Sequence, residues 1–201
     1  MESVYEEYFS EDMRIMKDSL KSIDSGGMHK LLDACEAVIR SGHKIIASGL
    51  GKNVPICEKF VGTMLSLGLD ANFLHTNTAV HGDMGMVKRG DLVIVLTKSG
   101  ATAESVYLVD LLKQRKGVQL WLLSFKKNSL LADSMENKLI VDLEHEGDNW
   151  DIVPNHSTTL NLIILQKVAI ELSKRLNLDL EKDFKPNHPG GAIGETLRWK
   201  N

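Results

Sequence analysis

Cysteine is nearly absent from this 201-residue chain, Cys35 and Cys57 being its only two. Both fall in segments that read as helices, so a disulfide framework is excluded and the thiols are expected to be core side chains in a reducing compartment. A basic surplus is also missing. Lys and Arg total 24 against 27 Asp and Glu, a formal charge of −3, which leaves no electrostatic footprint for a nucleic-acid backbone and makes a small molecule the expected partner. No stretch approaches the roughly 20 apolar residues that span a bilayer, so a membrane role has no support. Met1 to Asp24 carries acidic residues from its start and lacks the basic and apolar regions of a secretory signal, and the expected location is cytoplasmic. Internal repeats, low-complexity tracts, a CxxC pair and an HExxH helix are all missing. One domain over residues 1–201 is therefore expected, with no cofactor and no required metal.

What is present alternates. Four short, β-branched apolar runs, Lys44–Ala47, Leu92–Thr97, Val118–Ser124 and Leu139–Leu143, read as strands, and Asp70–His75 as a fifth. Several lack period-two alternation, as strands covered by helices on both faces do. Helix-length segments follow at Lys52–Leu67 and Ala103–Lys116, giving successive βα units and an α/β class. A longer helix is expected over Thr158–Leu176. There Leu160, Ile164, Val168, Leu172 and Leu176 recur every fourth residue and should pack on the sheet. Ahead of the first strand, residues 1–41 read as a helical hairpin used for association. Its helices span Tyr5–Ile23 and Met28–Ser41, divided by Ser25-Gly26-Gly27 as a helix stop.

Ligands of doubly wound sheets sit beyond the carboxyl ends of the strands, so the loops there carry the functional signal. The first, Ser48-Gly49-Leu50-Gly51-Lys52-Asn53, opens a helix whose N–H groups favour an anion. It is not a P-loop, because Ile46 stands where a glycine and Asn53 where a Ser or Thr is needed; Val54 likewise breaks a dinucleotide fingerprint. The second, Thr97-Lys98-Ser99-Gly100-Ala101-Thr102, puts hydroxyls, a glycine and a helix start together, and Asn155-His156-Ser157-Thr158-Thr159 does so again. Each alone also reads as a tight turn or an ordinary helix cap. Three of them after separate strands share one physical denominator, a phosphorylated ligand.

Proton transfer calls for a histidine and a carboxylate. Of seven histidines, His75, His81 and His188 fall in loops, the last two within His81-Gly82-Asp83-Met84-Gly85-Met86 and His188-Pro189-Gly190-Gly191. Either histidine could equally brace its turn. Glu146, in the polar stretch Glu144 to Asp151, reads by pattern alone as a solvated carboxylate.

In order and spacing, these motifs from about residue 42 to 197 resemble the sugar isomerase (SIS) domain, and more narrowly its arabinose 5-phosphate isomerase subfamily. The pairing of His81-Gly82-Asp83-Met84-Gly85-Met86 with His188-Pro189-Gly190-Gly191-Ala192-Ile193-Gly194 is the most specific part of the likeness. The resemblance implies a three-layer αβα sandwich on a five-stranded parallel sheet, with residues 42–197 as its doubly wound core. It also implies a homotetramer with active sites shared between subunits, and interconversion of ribulose 5-phosphate and arabinose 5-phosphate through an enediol, at the head of the Kdo branch of lipopolysaccharide synthesis.

On the same ground, Lys52, Glu104, Glu146 and His188 are the implied catalytic residues. Glu146 or Glu104 would be a base of raised pKa, His188 would open the sugar ring, and Lys52 would stabilise the enediolate. Ser48, Gly49, Gly51, Gly68, Leu69, His75, His81, Thr97, Ser99, Gly100, Thr102, Ser157 and Thr158 are the implied substrate contacts, with His75 also an inhibitory zinc contact. The sequence departs from the family at Asn53, where serine is usual, at Lys98, where asparagine is common, and at Asn155-His156, where small hydroxyl residues stand. Most members add two CBS modules, which this sequence lacks, so feedback by downstream Kdo metabolites is expected at the active site itself. An isomerase of another sugar phosphate and a non-catalytic sugar-phosphate sensor are the competing readings.

Overall fold

In the computed structural model, which describes residues 3–198, five parallel strands form one sheet in the order β2-β1-β3-β4-β5. They are β1 Ile45–Gly49, β2 Ala71–His75, β3 Leu92–Thr97, β4 Gln119–Ser124 and β5 Lys138–Ile140. All five lie where the apolar runs put them; β3 keeps its expected ends and the other four are shifted at one end or both. β1 continues through Ser48 and Gly49 because its pairing persists there, Gly49 standing opposite His75 on one side and Leu96 on the other. β5 stops at Ile140, although the Val141 N–H still donates to the Ser124 carbonyl at 2.9 Å.

Alternation inside the runs sorts side chains into two cores. Ile45, Ala47, Leu92, Ile94, Leu96 and Leu123 point to one face and Ile46, Val93, Val95 and Leu122 to the other. The first face is covered by α3 (Ser25–Arg40), α4 (Asn53–Ser66) and α7 (His156–Arg175). The second is covered by α5 (Ala103–Lys113) and α6 (Leu130–Ser134). The result is the expected three-layer αβα sandwich. On α7, Leu160, Ile164, Val168 and Leu172 are buried against the sheet, each contributing about 1.5–3 kcal/mol relative to exposure.

Several boundaries differ from the sequence expectation for local reasons. The leading helix is two, α1 (Val4–Tyr8) and α2 (Ser10–Lys21), divided at Phe9, whose φ of −127° leaves the helical region. Ser25-Gly26-Gly27 does not stop a helix but opens α3, because the Asp24 carboxylate accepts from the Gly27 N–H at 2.6 Å and caps it. Both α2 and α3 lie against α7. α6, capped by Ser129, and the last helix α8 (Gly191–Arg198) have no counterpart in the sequence expectation. The His81 loop folds as two short 3-10 turns, Ala79–His81 and Asp83–Met86. Among the described residues no helix is long and apolar enough to cross a membrane.

Candidate functional site

The strand order reverses direction between β1 and β3, which opens a crevice beyond their carboxyl ends. A cavity of about 260 Å³ occupies it. Gly51, Lys52 and Asn53 of the first loop, Thr97, Lys98, Ser99 and Thr102 of the second, and Pro154, Ser157 and Thr158 of the third line it together. The three loops therefore converge on one space. Larger hollows lie elsewhere, among them two of about 950 and 720 Å³ around α2 and α7.

The first loop is packed tightly from below. A Cβ on Gly49 would stand 2.8 Å from the Asn53 Cβ and 3.2 Å from the Cys57 Sγ, so only glycine lets α4 start this close to β1. Cys57 is fully buried beneath that turn, and burial pushes its thiol up to about 12. Lys52 stands at the N-cap position of α4 with no side-chain cap, and among the described residues its ammonium has no partner. Asn53 is tied to α7, its Oδ1 accepting from the buried Asn161 Nδ2 at 2.9 Å. Ser48, an expected substrate contact, turns inward instead, where its hydroxyl meets Thr76 at 3.3 Å.

In the second loop the Thr97 hydroxyl accepts from the Gly100 N–H at 3.2 Å, and the Ser99 hydroxyl accepts from the Ala101 N–H at the same distance. Thr102 precedes α5 yet makes no capping bond, and its hydroxyl instead lies 3.4 Å from that of Ser99. The simple capping reading of this loop fails there. Away from the cavity, α1, α3 and α6 are capped by Ser3, Asp24 and Ser129, while α2 begins at Phe9 without a capping side chain. α4 and α5, which open on the cavity, have no capping side chain, and uncapped N-termini favour an anion. Gly100, at φ +63°, would place a Cβ 2.2 Å from the Ser129 hydroxyl. Gly100→Ala is expected to destabilise the fold by at least about 1–2 kcal/mol in a denaturant titration, through left-handed strain and displacement of Ser129.

Glu146 departs most from its sequence reading. It is not solvated but has no exposed surface. Its Oε1 accepts from the Ser157 hydroxyl at 2.6 Å and pairs with the Lys98 ammonium at 2.8 Å, while its Oε2 accepts from the N–H groups of Ser157 at 2.9 Å and Asn155 at 3.0 Å. Burial works to raise its pKa, but the bonds from Lys98, Ser157 and the two amides outweigh it and hold the carboxylate below its ordinary value. The expectation of a raised pKa at this glutamate is thereby corrected. Glu146 caps α7 from outside the helix, which is why that helix begins at His156. His156 anchors the same loop, its Nδ1 donating to the His145 carbonyl at 2.8 Å and its Nε2 lying 2.9 Å from Asp12 of α2.

The other expected site residues lie outside the cavity lining. Glu104 is exposed on the first turn of α5, and among the described residues its carboxylate has no partner. His75 accepts from the Asn77 N–H at 3.2 Å, and His81 is exposed at the end of its 3-10 turn. Leu69 is a core residue, 4% exposed. Gly68 backs onto the carbonyl of Asp183, in the segment that carries His188. His188 stacks on Phe184 with ring centroids 4.0 Å apart and donates Nδ1–H to the Phe184 carbonyl at 2.9 Å, which leaves its Nε2 as the acceptor. Among the described residues no group of three or more His, Cys, Asp or Glu is placed to hold a metal ion. Lys98, Asn161 and the His156–Asp12 contact are the parts that the expected site residues do not include.

Fold and site together define a doubly wound α/β protein with a cavity lined by hydroxyls and lysines at its topological switch point. The chain belongs to the SIS domain family, whose model matches residues 38–166. It is 33% identical over 184 residues to the arabinose 5-phosphate isomerase of Pseudomonas aeruginosa, covering 92% of this chain and 56% of that one. The arabinose 5-phosphate isomerase of Escherichia coli K12 is 32% identical over 187 residues, covering 93% and 56%. The chain thus spans about half the length of these curated relatives. A solved protein of E. coli CFT073, in complex with arabinose 5-phosphate, superposes with a TM-score of 0.83 at 28% identity, covering 92% of this chain and 96% of that one.

Proposed function

We propose that the chain is an aldose-ketose isomerase that interconverts D-ribulose 5-phosphate and D-arabinose 5-phosphate through an enediol. The observation that carries this is the convergence of three hydroxyl-bearing loops, with Lys52, unpaired among the described residues, on one cavity at the starts of α4 and α5. That is the chemistry a phosphomonoester requires, and the arabinose 5-phosphate isomerases among its relatives support the choice of sugar.

The reaction moves one proton between C1 and C2 and one between their oxygens, and it needs no cofactor. Glu104, exposed and unpartnered among the described residues, is assigned the carbon-bound proton. Glu146, enclosed and fully engaged, is assigned to the pocket wall. Lys52 supplies positive charge to the enediolate oxygens. His188 opens the sugar ring through its free Nε2. Because His188 does not line the cavity of its own chain, a neighbouring copy in a homotetramer supplies it. The product enters Kdo synthesis in the cytoplasm, and a later anionic sugar of that route competes for the same cavity.

Purified protein incubated with ribulose 5-phosphate and EDTA in deuterated water is expected to form arabinose 5-phosphate carrying deuterium at C2. Binding of the sugar phosphate without turnover or exchange would replace this reading with that of a sensor.

A further inference from the structure

Lys98 faces two ways. Its side chain lines the cavity and is 35% exposed, while its ammonium lies 2.8 Å from a carboxylate that has no exposed surface. Its backbone is fixed as well, the carbonyl accepting from the Ser124 hydroxyl at 3.3 Å and the Phe125 N–H at 3.2 Å. Among the described residues Lys98 is the only cation paired with Glu146.

Glu146 stands directly behind the cavity wall, because the Ser157 that bonds it through both hydroxyl and N–H is itself a lining residue. An ionised carboxylate so close to an anion site is a problem of sign. It orders the third loop by collecting N–H groups, yet it repels the phosphate that the loop is built to receive. Removing the carboxylate would free those N–H groups. Pairing it with a fixed ammonium keeps the order and cancels the charge.

We propose that Lys98 is a positioning residue for sugar-phosphate binding, compensating the buried Glu146 so that the cavity wall presents ordered hydroxyls without net negative charge. The inference rests on the sugar-phosphate reading given above. It differs from a direct lysine-phosphate contact because Lys98 acts through Glu146, and the two arrangements respond oppositely when Glu146 is neutralised.

The test is calorimetric binding of arabinose 5-phosphate and of inorganic phosphate to the full chain. Wild type is compared with Lys98→Met, Lys98→Arg and the double variant Lys98→Met/Glu146→Gln, each checked for folding by circular dichroism. Lys98→Met is expected to weaken both ligands by at least about tenfold, the scale of one uncompensated charge near the site. Lys98→Arg should stay within about threefold of wild type, since it keeps the charge. The double variant should recover most of the loss. If Lys98→Met does not fold, Lys98→Gln takes its place with the same expectation.

Undiminished binding by the single variant overturns the proposal. So does a double variant as weak as the single one, which would put the ammonium on the phosphate itself. If wild type neither binds nor turns over a sugar phosphate, the functional reading falls and this inference falls with it.

Discussion

Glu104→Gln is expected to lower kcat by about 10²- to 10⁴-fold, the range that a positioned general base supplies, with little change in KM or in the unfolding midpoint. The expectation combines position and freedom. Glu104 lies in the first turn of the helix that opens on the cavity, is exposed, and among the described residues has no partner whose loss would loosen the fold. Surface substitutions of that kind usually stay within about 0.5 kcal/mol in stability. A steady-state assay beside a urea titration of the same preparation decides the matter. Full activity in the variant would move proton transfer to another group, while equal losses of activity and stability would make Glu104 a structural residue.

Glu146→Ala should show the reverse balance. Breaking a buried, hydrogen-bonded ion pair typically costs about 3–5 kcal/mol, and entry of water into the vacated space brings the value toward the lower figure. The Ser157 hydroxyl and the N–H groups of Ser157 and Asn155 would lose their acceptor, and the start of α7 would fray. The same carboxylate gives a pH signature. Its folded pKa lies below the ordinary value of 4.5, so ionised Glu146 binds its proton less readily in the native state than in the unfolded one. Its contribution is complete above the unfolded pKa and disappears as pH falls through the folded one. Urea midpoints for wild type should therefore decline more steeply below about pH 4.5 than those of Glu146→Gln, which has no proton to take up. Parallel curves would show that this carboxylate is not linked to folding.

The strands were readable because apolar, β-branched runs have few other uses, but a continuous run such as Leu92–Thr97 does not say which side chain takes which face, and the fold supplies that. Ends were harder. Ser48 and Gly49 read as loop because neither is apolar, although the β1 ladder runs through both. Ser25-Gly26-Gly27 read as a stop because the cap that makes it a start is a side-chain geometry at Asp24. The loops of the site were legible from their hydroxyls and glycines, which are local properties. The state of Glu146 was not, since its partner Lys98 is remote in sequence and only the fold brings the second and third loops together. A polar loop pattern carries no record of burial. The resemblance implies Ser48 and Leu69 as substrate contacts, whereas one bonds Thr76 in the interior and the other fills the core.

The close seating of α4 against Gly49 also makes the chain its own gauge. With Cys57 wedged under that turn and Cys35 equally enclosed, the molecule holds two thiols that stay unreactive while the first loop is seated. Access to Cys57 therefore measures how often the cavity floor lifts. A motion of one loop can be timed chemically, with the unaltered protein and no attached label.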